Sequence, residues 1–262
     1  VSGTIAIPLV YILFRKLLGA RTSLLAAFLL AVSPWHLRLS HAAYEANLGL
    51  TLTLLGTIFV LRYNYALSAI IYSLSLYSYH SPKLFLPLFV LGLAFIHRTR
   101  AKSLILLALL LLIIQLPSST SRAQVSSFLR DPEVQLSLSD FTGHPLPARI
   151  FLYFSAISTR YLQYFDPSFY FVSGLDLTHP SPFNHGVDYL LNLPFLLLGL
   201  IWLLRHRPKW LVAWIAIAPL PAALTLNNYH FVRTLPLVIP TVILISIGLF
   251  RSIRIIRSIR LI

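Results

Sequence analysis

Cysteine and methionine are both absent from the 262 residues. Without thiols there can be no disulfide and no thiolate-bound metal. A chain that opens on Val1 and holds no Met reads as an internal fragment or a processed chain. Acid is also scarce: seven Asp and Glu stand against 21 Lys and Arg, for a net charge of +14. Charged side chains total 11%, against roughly 25% in an average soluble domain. Nothing in the sequence matches a Walker loop, a dinucleotide glycine pattern or a nucleophile elbow. The nine His are scattered singly, without the paired spacing of a metal site. Asp131 and Glu133, beside Pro132, read as a solvated loop, not a Ca²⁺ or Mg²⁺ site. No metal and no cofactor are expected. Nucleic acid is not expected as a partner either, because no basic and aromatic face runs along any one element.

Apolar side chains are what the sequence has in abundance. They make up 57% of the residues, and the mean hydropathy is +0.79. A soluble fold of this size could not hide so much apolar surface, so lipid must be part of the solvent. Apolar runs fall at about 1–14, 22–35, 45–61, 65–80, 84–97, 103–117, 188–204, 210–225 and 235–250. They are Leu-rich and solidly apolar, not alternating, so they predict helices and not barrel strands. Several are shorter than the roughly 20 residues of a full span, so their ends must take in interfacial residues such as Trp35, Tyr63, Tyr79 and Trp210. The first run is not a signal peptide, since Arg15 and Lys16 follow it instead of preceding it. The fold class expected is an all-α polytopic membrane bundle of about nine transmembrane helices.

The connections alternate in charge. One set, from Arg15 through Arg62, Arg98, Arg205 and Arg207 to Arg260, holds 14 basic residues and no acid. The other holds seven basic residues and all seven acids. By the positive-inside rule the first set is cytoplasmic and the second faces outward. That puts residue 1 outside, an arrangement that points to sequence missing upstream. Three regions follow: helices over 1–117, an extracytoplasmic loop over 118–187, and helices with a basic end over 188–262. Within the loop, Ile150, Phe151, Phe154, Ile157, Tyr161 and Phe165 recur at helical spacing, which predicts an amphipathic helix over 148–165 lying at the membrane surface.

Three constellations could carry chemistry. In Ser33–Leu48, Glu45 is the only acid before residue 131, and one continuous helix would put Arg38, His41 and Glu45 on one face. An ion pair that merely positions the helix is the alternative. In Tyr77–Phe85, Pro82 can open a helix whose first turn carries Lys83, next to Tyr79 and His80. Bare N–H groups and a Lys there suit a phosphate, while a snorkelling Lys among interfacial tyrosines is the plainer reading. In Asn227–Pro236, His230 and Arg233 lie one helical turn apart on a short outward turn that could equally mark topology.

These runs, with YLQYFDPSFYFVSG at 161–174, occur in an order that resembles the bacterial members of the dolichyl-phosphate-mannose–protein mannosyltransferase family. These are polyprenol-phosphate-dependent glycosyltransferases of the GT-C fold. The resemblance covers most of the chain and rests on the order of the motifs, none of which is diagnostic alone. It implies transfer of a sugar from a polyprenyl-phosphate carrier to a hydroxyl acceptor, with inversion, on the outer side of a bacterial inner (plasma) membrane. It implies Glu45 and His41 as catalytic, with Lys83, Arg38, Tyr79, His80, His230 and Arg233 around the sugar and phosphate. The principal catalytic Asp of that family would lie upstream of Val1, and near His41 the family more often has Arg. A transporter or lipid flippase is the rival, and a non-catalytic membrane scaffold the second.

Overall fold

Each of the nine apolar runs folds as helix, and the breaks fall where Gly, Pro and Asn interrupt them. The structure, a computed structural model, describes residues 1–125, 132, 135, 146–173, 186–225 and 230–259. Among these the chain is all-helical. The helices are α1 Ser2–Leu18, α2 Ala20–Val32, α3 Pro34–His41, α4 Glu45–Leu61, α5 Tyr65–Ser78, α6 Ser81–Ile96 and α7 Ala101–Val125. After the loop come α8 Leu146–Gln163, α9 Leu193–His206, α10 Lys209–Ile217, α11 Leu220–Ala223 and α12 Val238–Ile259. Two 19-residue stretches, Arg98–Leu116 and Leu235–Ile253, are long and apolar enough to cross a membrane. Glu45–Leu61, Tyr65–Ser78, Ser81–Ile96, Leu190–His206 and Lys209–Ala223 are apolar but shorter.

Two expected features are corrected. The run at 22–35 is not one helix: Ser33 and Pro34 bend α2 against α3 by 51°. Pro34 cannot supply the N–H that would continue α2, and it opens α3 instead. Nor do Arg38, His41 and Glu45 share a helix face, because α3 stops at His41 and Ala43 takes φ +52 before Glu45 starts α4. Helix α7 continues to Val125, past the end of its apolar stretch at Leu116. The stretches 174–185 and 226–229, and most of 126–145, lie outside the described residues, and with them Asp131, Glu133, Asp140 and Asp176.

Helices α1, α2, α12, α10, α6 and α4 touch in sequence and close a ring, with α5, α7 and α9 packed outside it. Aromatic side chains fill its middle. Trp214 of α10 meets Phe89 at 4.7 Å, Phe85 at 5.6 Å and Phe14 of α1 at 6.5 Å, ring centre to ring centre. All four are buried.

In lipid, apolar burial does not drive helices together, so close approach and interhelical hydrogen bonds must. Both are present. A Cβ on Gly199 would run into the Leu244 carbonyl oxygen and one on Gly248 into that of Phe195, so α9 and α12 cross backbone to backbone. Helices α4 and α5 are joined by hydroxyls: Thr57 with Tyr72 at 2.9 Å, Thr53 with Ser75 at 3.2 Å, and Ser68 donating to the Gly56 carbonyl at 3.1 Å. The outward faces remain apolar, with Phe28, Ile70, Phe95, Ile113 and Leu204 all exposed. Surface of that kind suits lipid contact.

Candidate functional site

The site is built at the helix ends remote from the basic connections. Ser33 accepts from the His36 N–H at 3.5 Å and starts α3. Helix α3 then lies across the rim. Trp35, expected at the interface, is buried instead, and its indole N–H donates to the Phe231 carbonyl at 2.8 Å. The Ser81 hydroxyl donates to the Arg233 carbonyl at 2.7 Å, and the Trp214 indole to that of Pro236 at 2.8 Å. Three donors from three elements thus hold the 231–236 turn against α3, α6 and α10. The turn is closed by the Arg233 N–H to the His230 carbonyl at 3.0 Å.

Tyr79 and Arg233 are hydrogen-bonded here, and the Glu45 carboxylate is near enough to act on the phenol electrostatically. Tyr79 ends α5 in extended backbone, and burial pushes its phenol up to about 12. The Arg233 guanidinium, hydrogen-bonded to it, pulls down, while the Glu45 carboxylate and Tyr44 add smaller upward pushes. At neutral pH Tyr79 is therefore a neutral phenol bonded to a cation, with an anion acting on it from further off. Arg38 lies over the Phe231 ring at 5.4 Å. Glu45, the first residue of α4, and His41, the last of α3, are both exposed.

The second constellation arrives partly as expected. Helix α5 stops at Ser78, His80 precedes α6, and Pro82 occupies its first turn. Lys83 is half-buried there. Its own N–H is bonded to the His80 carbonyl at 3.1 Å, so that donor is not open to a ligand. His80 is exposed, its ring 5.9 Å from that of Tyr79. The His230 N–H donates to the Tyr164 hydroxyl at 3.1 Å.

The sequence did not single out the aromatic bridge to the outer segment. Phe169, in a π-helical turn over Phe169–Ser173, meets Trp35 at 5.5 Å and Tyr164 at 5.3 Å, both edge-on. Beyond it Asp188 donates its N–H to the Tyr170 carbonyl at 2.8 Å. Burial raises the Asp188 carboxyl above its ordinary range, against hydrogen bonds from Asn192 and the Tyr189 N–H. No sequence spacing marks that carboxylate as buried. Under α3 lies a polar cluster, also unforeseen: Asn47 donates to Ser40 at 2.9 Å, Ser40 to the His36 carbonyl at 2.8 Å, and Thr51 to the Asn47 carbonyl at 2.8 Å.

A helix forms where the amphipathic one is expected, as α8 Leu146–Gln163. Ile150, Phe151 and Phe154 are exposed on it. Its opposite side is tied inward: Arg160 is buried and donates to the Thr225 carbonyl at 3.2 Å, and Tyr161 donates to the Ala216 carbonyl at 2.8 Å. Among the described residues, no three His, Asp or Glu side chains gather as a metal site would need. Comparison with known proteins finds no matching family model, no curated relative and no solved structure of similar fold.

Proposed function

We propose that the chain is a polytopic membrane glycosyltransferase of about nine helices, moving a sugar from a polyprenyl-phosphate carrier to a hydroxyl acceptor at the outer rim. The observation that carries this reading is the Tyr79 phenol hydrogen-bonded to Arg233, with the Glu45 carboxylate close enough to act on it. A lipid phosphate leaves with growing negative charge and needs fixed cations more than a proton donor. Arg233 and Lys83 supply them, and the Tyr79 phenol can donate a hydrogen bond to the same group. The acceptor hydroxyl needs a carboxylate. Glu45 orients it and takes its proton as its oxygen attacks the anomeric carbon. The bond from that carbon to the phosphate oxygen breaks on the opposite face, so configuration inverts. His41 and Arg38, which precede Glu45 in the chain, would assist it, and His80 and His230 would contact the sugar or phosphate.

An apolar groove of about 280 Å³ supports a prenyl chain as the carrier's tail. It runs from Phe165 and Tyr170 past Leu197, Leu200 and Leu244 to Leu203. The test is transfer from a polyprenyl-phosphate sugar in membranes carrying the complete protein. Glu45→Gln should lower the rate at least about tenfold, the scale of losing one good polar contact in a transition state. Expression should hold, since an exposed Glu contributes little to folding. Normal turnover by the Gln variant would return Glu45 to a positioning ion pair.

The bend between α2 and α3 favours a second reading, a transporter or lipid flippase, because broken helices at membrane depth line such paths. That reading requires labelled carrier lipid to change leaflets in vesicles with no sugar transferred, and to do so equally in Glu45→Gln.

A further inference from the structure

The opposite end of the bundle holds a second pocket, independent of the rim chemistry. It is a cavity of about 220 Å³ between the α4–α5 turn and the α6–α7 turn. Its lining includes Leu61, Tyr63, Leu93, His97, Arg100 and Leu104, with no carboxylate among its described residues. Arg100 lies against the Tyr63 ring, its guanidinium carbon 3.0 Å from the ring centre. Its Nη1 is shut off from solvent and has no hydrogen-bond partner. Leaving a guanidinium N–H buried and unmet is costly.

Tyr63 is held to this position by its backbone. Its φ is +64, a conformation a non-glycine residue seldom adopts. The turn is closed by the Tyr63 N–H to Val60 and the Asn64 N–H to Phe59, both at 3.0 Å. Asn64 then accepts from the Leu67 N–H at 3.1 Å and starts α5. Strain of this kind concentrates at ligand clamps.

We propose that this pocket binds a phosphate-bearing anion. A guanidinium is planar and always charged, and the Arg100 nitrogens other than the enclosed Nη1 can meet phosphate oxygens from the cavity wall. The wall combines two chemistries, Arg100, His97 and Thr99 with Leu61, Leu93 and Leu104. That combination fits an amphiphile whose phosphate meets the cation and whose glycerol and first methylenes meet the leucines. Arg62, Arg98 and Lys102 surround the opening in sequence and add to the local attraction for anions. An anionic phospholipid and free phosphate share the recognised group.

The test is native mass spectrometry of the purified protein from mixed micelles, with phosphatidylglycerol against phosphatidylcholine. The wild type should retain phosphatidylglycerol on the order of tenfold better. Arg100→Gln should abolish the preference, and so should Leu61→Trp, which fills the cavity and leaves the charge. Arg98→Gln should keep it, since Arg98 sits exposed over Phe95 at 6.0 Å. Displacement by millimolar inorganic phosphate would assign recognition to the phosphate alone. Retention in its presence would place the lipid's glycerol and chains in the site as well. Equal losses in Arg98→Gln and Arg100→Gln, or no preference in the wild type, would overturn the proposal. If Arg100→Gln fails to fold, Leu61→Trp decides: a lipid preference that survives the filled cavity also overturns it.

Discussion

The indole N–H of Trp35 donates to the carbonyl oxygen of Phe231 at 2.8 Å, inside the protein and across 196 positions of chain. It ties the first rim constellation to the third. Trp35→Phe keeps most of the ring but strands a buried carbonyl. The cost should be about 1–3 kcal/mol of stability, read as a lower midpoint of thermal unfolding in detergent. Transfer activity should fall with it, because the turn carrying Arg233 loses one of its three anchors. An unchanged midpoint would mean that the other two suffice.

Lys83 is expected to act on the carrier phosphate. Lys83→Ala should weaken both apparent carrier affinity and maximal rate, whereas Lys83→Arg should keep part of each, since charge survives and geometry changes. Arg62→Ala, at the far end of α4, should alter neither. The measurement is initial rate against carrier concentration. A Lys83→Ala curve superimposed on the parent would leave Lys83 an interfacial anchor.

Asp188 makes a signed prediction about pH. Burial raises its carboxyl in the folded protein, so the folded chain holds that proton more tightly than the unfolded one. The stabilising contribution is complete below the ordinary carboxylate value and is lost as pH rises through the folded value. Asp188→Asn can still accept from the Tyr189 N–H, which bonds Oδ1 at 2.8 Å. The variant should unfold at a higher temperature than the parent at about pH 7, and the gap should close toward about pH 4. A gap that widens on acidification would reverse the assigned sign.

Orientation is open to a direct check. His41 and Thr99 are both exposed, at opposite ends of the bundle. The chain has no native cysteine to interfere. A cysteine replacing His41 should react with an impermeant reagent on intact cells, and one replacing Thr99 only after permeabilisation. The opposite result would place the rim inside and remove the outer active site.

Helix positions were legible because most apolar runs end in charge, Pro or Gly. Gly19, for example, sits between α1 and α2 at φ +81, which side chains disfavour. Breaks inside a run were not legible. Hydropathy carries straight through Pro34 and through Pro219–Pro221, yet the backbone turns at both. The rim residues were found as types near run ends, but their meeting depends on anchors no local pattern reveals. Ser81 reaches Arg233 over 152 positions. Trp35 looked like an interfacial aromatic because sequence shows that a Trp stands at a run's end and not what it touches. The helix over 146–163 was legible from spacing alone, but Arg160 turning inward depends on the Thr225 carbonyl, 65 positions away.

The aromatic fill of the ring has a consequence of its own. Phe14, Phe85, Phe89 and Trp214 pack ring against ring where α1, α6 and α10 face one another. Interlocked in this way the four rings act as a keystone: shortening any one of them removes contacts that α1, α6 and α10 share, so all three helices should loosen together.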